Sequence, residues 1–250
     1  MLYLLSFGPS VSAGGNWDRR DRAQDWYINA AFAMDFTGPT GFSVSRYQAY
    51  ELYLDRGFRH NTTGVNFYTS RLKWLSVSGG QFWGTGINYS PGPGLTPFLA
   101  NAASSYGNIT LRPVPRMRLD ETYYYTRLGT RRGYTLSGFP DSAAIFNNHL
   151  LRTKLNYQFS KALSLRLIQD YFATLPNPTL ISDSPFKRLT GDILITYLLN
   201  TGTALYIGYT DRYDNVALDP TTPPMLRPTG SPTTSTGRQF FIKISYLFRF

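Results

Sequence analysis

The chain has 250 residues, 25 Lys and Arg against 15 Asp and Glu for a formal charge of +10, no cysteine, and 19 Tyr with 17 Phe. The missing cysteines exclude disulfides, zinc-thiolate sites and iron-sulfur clusters, and no run of about 18 apolar residues exists, which excludes a helical membrane span. The basic residues are scattered, and Arg19, Arg20 and Arg22 alternate with Asp18 and Asp21, so the charge points to a membrane surface or a lumen and not to nucleic acid.

Only 16% of residues are charged, against about 25% in an ordinary soluble domain. What the chain offers instead is a rhythm of two. Leu2 to Ala13 reads as a first strand in which Pro9 marks an edge or an irregularity, and Gly14 to Gln24 reads as a loop. From Asp25 to Phe36 the alternation is plain: Trp26, Ile28, Ala30, Phe32, Met34 and Phe36 share a face. A turn at Thr37 to Thr40 leads to a strand over Gly41 to Leu54, a loop through Asp55 to His60, and a short strand over Thr62 to Thr69. After a turn at Ser70 to Lys73, Leu75 to Asn88 is strand-like but holds Gly79, Gly80, Gly84 and Gly86, which predicts bulges or close backbone approach.

Tyr89 to Ser104 reads as a long Pro/Gly loop. Tyr106 to Pro113 pairs through a tight turn with Arg116 to Leu128, where Met117, Leu119, Tyr123 and Tyr125 share a side that Glu121 interrupts. Gly129 to Ala144 is loop, then Ile145 to Phe159 and Ala162 to Leu175 are strands joined near Ser160-Lys161. Pro176 to Pro185 is loop, and Phe186 to Leu199 and Thr203 to Tyr213 form a hairpin about Asn200-Thr201-Gly202. Asn215 to Gly237 is the longest loop. The chain closes on Arg238 to Phe250, with Phe240, Ile242, Ile244, Tyr246, Phe248 and Phe250 on one side of the strand.

Five short connections and six longer ones alternate along these twelve strands. An outer-membrane barrel with tight turns at one end and long loops at the other has that pattern, and its outward face carries apolar residues bounded by aromatic girdles. The predicted fold is therefore all-β: a single antiparallel transmembrane β-barrel of about twelve strands over residues 1–250, alone or as part of a larger barrel, in the bacterial outer membrane. Tyr246, Phe248 and Phe250 form the terminal membrane-insertion signature, with the barrel-assembly machinery, membrane lipid and lipopolysaccharide as expected partners. A soluble β-sandwich explains the strands but not the alternating connections.

Charged residues keep the phase opposite to the apolar ones: Arg118, Asp120, Arg152, Lys154, Arg166, Asp170, Arg188, Asp192 and Lys243. In lipid each would cost several kcal/mol, so they are assigned to the interior of the barrel. An open interior with this positive excess favours anionic solutes. A closed one makes the same residues an ion-pair network that stiffens the wall.

Catalysis finds little footing. His60 and His149 are expected at the barrel mouth, no serine sits in a Gly-x-Ser-x-Gly elbow, and no two of Asp120, Glu121, Asp170, Asp192 and Asp214 share a glycosidase motif. Asp211 to Asn215 lacks the glycine and closing glutamate of a calcium loop. No metal or cofactor is assigned.

Several segments nonetheless carry a resemblance: Trp83-Gly84-Thr85-Gly86-Ile87-Asn88-Tyr89, Gly94-Leu95-Thr96-Pro97-Phe98, Ile109-Thr110-Leu111-Arg112-Pro113, Phe146-Asn147-Asn148-His149, Thr203 to Tyr209, and the terminal Ser245 to Phe250. Together they resemble the C-terminal barrel region of a bacterial family of predicted outer-membrane proteins that carry an N-terminal domain similar to family-nine carbohydrate-binding modules. The resemblance implies a C-terminal fragment of a longer protein and solutes related to carbohydrate. It supplies no catalytic residue. The first ten residues do not look like a secretory signal, so either the chain is a mature or truncated piece or the membrane reading is wrong. Two roles stand: passage or capture of solutes by the barrel, and anchoring of an absent carbohydrate-binding or hydrolase domain, where any glycosidase activity would reside.

Overall fold

A strand sends successive side chains to opposite faces, so a chain that alternates large apolar with small polar residues can bury neither face fully by coiling into a helix. The computed structural model, which describes residues 3–131, 140, 142–200 and 202–247, contains no helix among them. Twelve strands form one antiparallel sheet in which each pairs with its sequence neighbour: β1 (Leu4–Trp17), β2 (Ala23–Phe36), β3 (Thr40–Tyr53), β4 (Arg56–Leu72), β5 (Leu75–Asn88), β6 (Phe98–Leu111), β7 (Met117–Gly129), β8 (Ala144–Gln158), β9 (Leu163–Pro176), β10 (Phe186–Asn200), β11 (Thr203–Asp214) and, last, β14 (Thr234–Tyr246). A small hairpin of β12 (Val216–Asp219) and β13 (Met225–Pro228) stands apart in the longest connection. This is the up-and-down arrangement of a barrel wall. Among the described residues β1 and β14 each have one partner and do not pair with each other. Pro9, with no N–H to give, sits in that edge strand β1.

The sheet curls. The loop after β5 meets the loop after β9, four strands away: Pro91 bridges Ile181, the Gly92 amide donates to the Leu180 carbonyl at 3.1 Å, and Asn88 Nδ2 donates to the same carbonyl at 2.8 Å. These loops cover Ala100 of β6 and Leu128 of β7, with which Leu180 and Ile181 form the largest buried cluster. Loops rooted four strands apart can meet across β7 and β8 only if that face is concave. It is the face of Ala100, Arg118, Leu128, Arg152 and Arg166.

Four segments depart from the sequence expectation, the first being the expected Asn215 to Gly237 loop, which holds β12, β13 and the start of β14. Residues 55–60 are not a long loop: β3 and β4 join through Leu54 and Asp55 alone, both left-handed at φ 49° and 57°, the geometry of a tight hairpin turn. Gly14 to Trp17 extends β1, leaving a connection of residues 18–22, closed by Asp18 Oδ1 accepting from the amides of Arg20 at 2.8 Å and Arg22 at 3.0 Å. Arg22 and these amides hold the Asp18 carboxyl below the usual aspartate range. Finally, β6 begins at Phe98 inside the expected Tyr89 to Ser104 loop; its Ala, Asn and Ser side chains carry no alternation, and only pairing with β5 reveals them. The Gly84 expectation holds: a Cβ there would run into the Asn61 carbonyl. The turn at Thr201, most of residues 130–143, and Phe248 and Phe250 of the insertion signature lie outside the described residues.

Candidate functional site

Pairing registers fix which side chains share a face. On the convex face one row runs Leu111, Leu119, Leu155, Leu167, Ile193, Tyr209, Phe240 across seven strands. These residues are not hidden: Ile193 is 42% exposed and Ile244 69%. Tyr246 shares this face, opposite Thr203. A soluble sandwich sheet buries its apolar face and wets its polar one; here the polarity is reversed.

The concave face holds all nine charged positions singled out in the sequence. Asp120 stands opposite Lys154, Arg118 opposite Asn156, Arg152 opposite Asp170, Asn156 opposite Arg166, Asp192 opposite Thr210, and Tyr206 opposite Lys243. Arg188 pairs in register with Asp214. Three close ion pairs, with a longer one from Arg212 Nε to Asp214 Oδ2 at 3.7 Å, organise this wall. Arg118 Nε lies 2.8 Å from Asp120 Oδ2, and Thr110 Oγ1 donates to the same carboxylate at 2.6 Å. Arg152 grips Asp170 with two bonds, Nε to Oδ1 at 2.6 Å and Nη2 to Oδ2 at 2.7 Å, the planar fork that arginine makes best. Arg188 Nε lies 2.7 Å from Asp214 Oδ1, whose other oxygen accepts from Thr236 at 2.7 Å. Thr210 donates to Asp192.

Arithmetic then leaves a surplus. Concave-face positions of β7 to β14 carry seven cations, Arg118, Arg152, Lys154, Arg166, Arg188, Arg212 and Lys243, against four carboxylates, Asp120, Asp170, Asp192 and Asp214. Lys154, Arg166 and Lys243 make no ion pair among the described residues. Arg166 and Arg118, with Asn156 between them in register, line a pocket of about 460 Å³ beside the short turn that holds Arg116.

The other half of the wall escaped the sequence reading. On β1 to β6 the concave face holds Asp25, Asp35 and Glu51 and, apart from Arg56 at the loop end, no Lys or Arg. Asp35 accepts from Tyr68 at 2.9 Å and Ser6 at 3.0 Å. Glu51 accepts from the Tyr89 hydroxyl at 2.7 Å, and burial together with Glu51 pushes that phenol well above its ordinary pKa. Asp25 and Asp35 stand ten residues apart on β2 and Glu51 lies on β3 opposite Asp25, so they share no local motif; the cluster exists only once strands are paired. Between the two halves runs an aromatic ladder, Phe82 against Tyr106 at 6.3 Å and Tyr106 against Tyr124 at 6.1 Å, both stacked.

Of the two histidines expected at the mouth, one faces the concave side near the Leu54-Asp55 turn and the other the convex side. His60 is on the concave face of β4, half-buried, opposite Ala49. His149 lies on the convex face of β8, where its Nδ1 is 2.8 Å from the Tyr123 hydroxyl and its ring 5.0 Å from that of Tyr125. No serine, cysteine or carboxylate bonds either ring among the described residues. No cluster of three or more His, Asp or Glu side chains there could hold a metal ion.

No family model matches the chain, and no curated protein does. Among solved structures, a NanC porin in a rhombohedral crystal form aligns over 98% of this chain and 100% of its own, at 12% identity and a TM-score of 0.37, a loose likeness.

Proposed function

We propose that this protein is a bacterial outer-membrane barrel wall that passes or captures anionic solutes, with carbohydrates bearing carboxylate groups as the solute class. The observation that carries this reading is the reversed polarity of the sheet: exposed Ile, Leu and Phe on the convex face, and on the concave face seven cations against four carboxylates over β7 to β14. A bilayer supplies the solvent that such a convex face requires, and the unmatched Lys154, Arg166 and Lys243 supply a positive potential along the other side. Asp25, Asp35 and Glu51 on the remaining strands polarise the interior across its width. The Phe82–Tyr106–Tyr124 ladder gives flat apolar surfaces for the C–H faces of sugar rings, beside cations suited to their carboxylates.

The second reading is a closed barrel that anchors another domain. Leu180 and Ile181, folded over the concave face at the loop end, favour it, and so does the doubly bonded Arg152–Asp170 pair that ties β8 to β9. Conductance of the purified protein in planar bilayers separates the two. A steady current that prefers chloride over potassium and is reduced by an oligosaccharide of uronic acids supports the pore, and a membrane that stays silent after verified insertion supports the anchor.

A further inference from the structure

Arg46 and Glu121 are charged residues on the apolar convex face whose recorded side-chain bonds go to neutral threonines. Arg46 is the seventh residue of β3, and its row neighbours are Ala30 and Thr63. It is exposed, and its recorded bond is Nη1 to Thr63 Oγ1 at 2.6 Å. Glu121 is the fifth residue of β7, between Ile109 and Thr153, and accepts from Thr153 Oγ1 at 2.7 Å. Neither has an opposite charge within reach among the described residues, although Asp211 and Arg238, also on this face, pair with each other at 3.0 Å. A lone charge facing hydrocarbon is costly on either residue.

Their depths agree. Arg46 lies six residues beyond the short-turn end of β3 at Thr40, and Glu121 four beyond that of β7 at Met117. At about 3.3 Å per residue and a tilt near 45° these are about 14 Å and about 9 Å from one rim of the barrel, a difference the arginine side chain spans. Between them, on β4 to β6, the convex face is shallow. Gly79 and Gly107 stand side by side in register, a Cβ on Gly107 would touch nothing within 4 Å, and Val65, Phe67, Val77 and Ile109 border the resulting groove of about 480 Å³.

We propose that this patch is covered by a second copy of the same chain, with Arg46 of one copy paired to Glu121 of its neighbour and apolar side chains seated over the Gly79–Gly107 floor. Charge complementarity selects this occupant: each copy carries both halves of the pair at matching depth, whereas acyl chains would satisfy neither. Bringing the two charges together inside the bilayer removes both penalties at once, and the glycines let the two walls approach closely.

The inference rests on the membrane reading above, and the test separates their failures. The full chain is inserted into phosphatidylcholine vesicles, insertion is verified by protease protection, and copies per particle are counted by single-molecule photobleaching at high lipid dilution. Wild type is expected to show two or more copies, Arg46→Glu and Glu121→Arg single copies, and the double exchange Arg46→Glu with Glu121→Arg restored association. Should a single exchange fail to insert, Arg46→Gln and Glu121→Gln replace it, with association weakened about tenfold or more. Inserted wild type found as single copies overturns the proposal and leaves the membrane reading standing; so do single exchanges that stay associated, or an inserted double exchange that does not reassociate. Failure of wild type to insert overturns both.

Discussion

Ile193→Arg is the sharpest single test of the solvent that the convex face meets. Ile193 is the eighth of the fifteen residues of β10, 42% exposed, and set in register between Leu167 and Tyr209. With seven residues on either side, a rise of about 3.3 Å each and a tilt near 45°, it lies about 16 Å from each end of the strand, at the middle of an apolar band about 25 Å tall. Arginine at that depth is expected to lower folding stability by about 2–4 kcal/mol. In water the same exchange at a half-exposed position would stay within about 0.5 kcal/mol. The measurement is reversible folding into phospholipid vesicles followed by tryptophan fluorescence against guanidinium, with Thr196→Arg on the concave face of the same strand as the control. If Ile193→Arg and Thr196→Arg shift the midpoint equally, or neither moves it, the convex face does not meet lipid and the membrane reading falls.

Other consequences can be measured in the same preparations. Converting Lys154, Arg166 and Lys243 together to Gln should lower the anion-to-cation permeability ratio severalfold, while Asp170→Asn should raise it by freeing Arg152; stability should fall by only about 1 kcal/mol or less, because that ion pair is largely exposed. Replacing Leu180 and Ile181 with Ser should increase single-channel conductance if the loop obstructs the mouth, and leave it unchanged if solutes pass elsewhere. Gly84→Ala should cost about 1–3 kcal/mol, because its methyl group meets the Asn61 carbonyl with no room to move. Asp18 has a depressed carboxyl pKa, so its contribution to the 18–22 turn is complete above about pH 4 and disappears as pH falls through the lower folded value; protection of the Arg20 and Arg22 amides, taken relative to the intrinsic exchange rate at each pH, should fall in acid, and in Asp18→Asn should be lower at neutral pH.

Much of this architecture could be read where side chains were large. Trp26 through Phe36 and Leu189 through Tyr197 announce their faces by size and polarity alone, and once those phases are known the charges singled out on β7 to β10, from Arg118 to Asp192, fall on the other side without any knowledge of pairing. Illegible segments lacked that contrast. The first half of β6 is a run of Ala, Asn and Ser with nothing to alternate, and the turn at Leu54-Asp55 uses left-handed residues other than the expected glycine or asparagine. The acids Asp25 and Asp35 of β2 and Glu51 of β3 are far apart in the chain, and only pairing and curvature make them a wall. Glu121 was visible as a break in the pattern, yet its meaning depends on Arg46, four strands away, and no spacing rule connects the two.

The outermost ribbons, β1 and β14, carry a further consequence. Among the described residues the outer edge of each, over the 14 residues of β1 and the 13 of β14, is paired to no further strand, and on the membrane reading proposed above hydrocarbon offers nothing to satisfy an open edge. On that reading the wall reaches its membrane-stable form only when the slit is zipped, whether by these two ribbons or by strands inserted between them. Closure of the slit is then the last event of assembly and the first to fail under stress, which makes it the line along which a lateral opening, or a foreign strand, would enter.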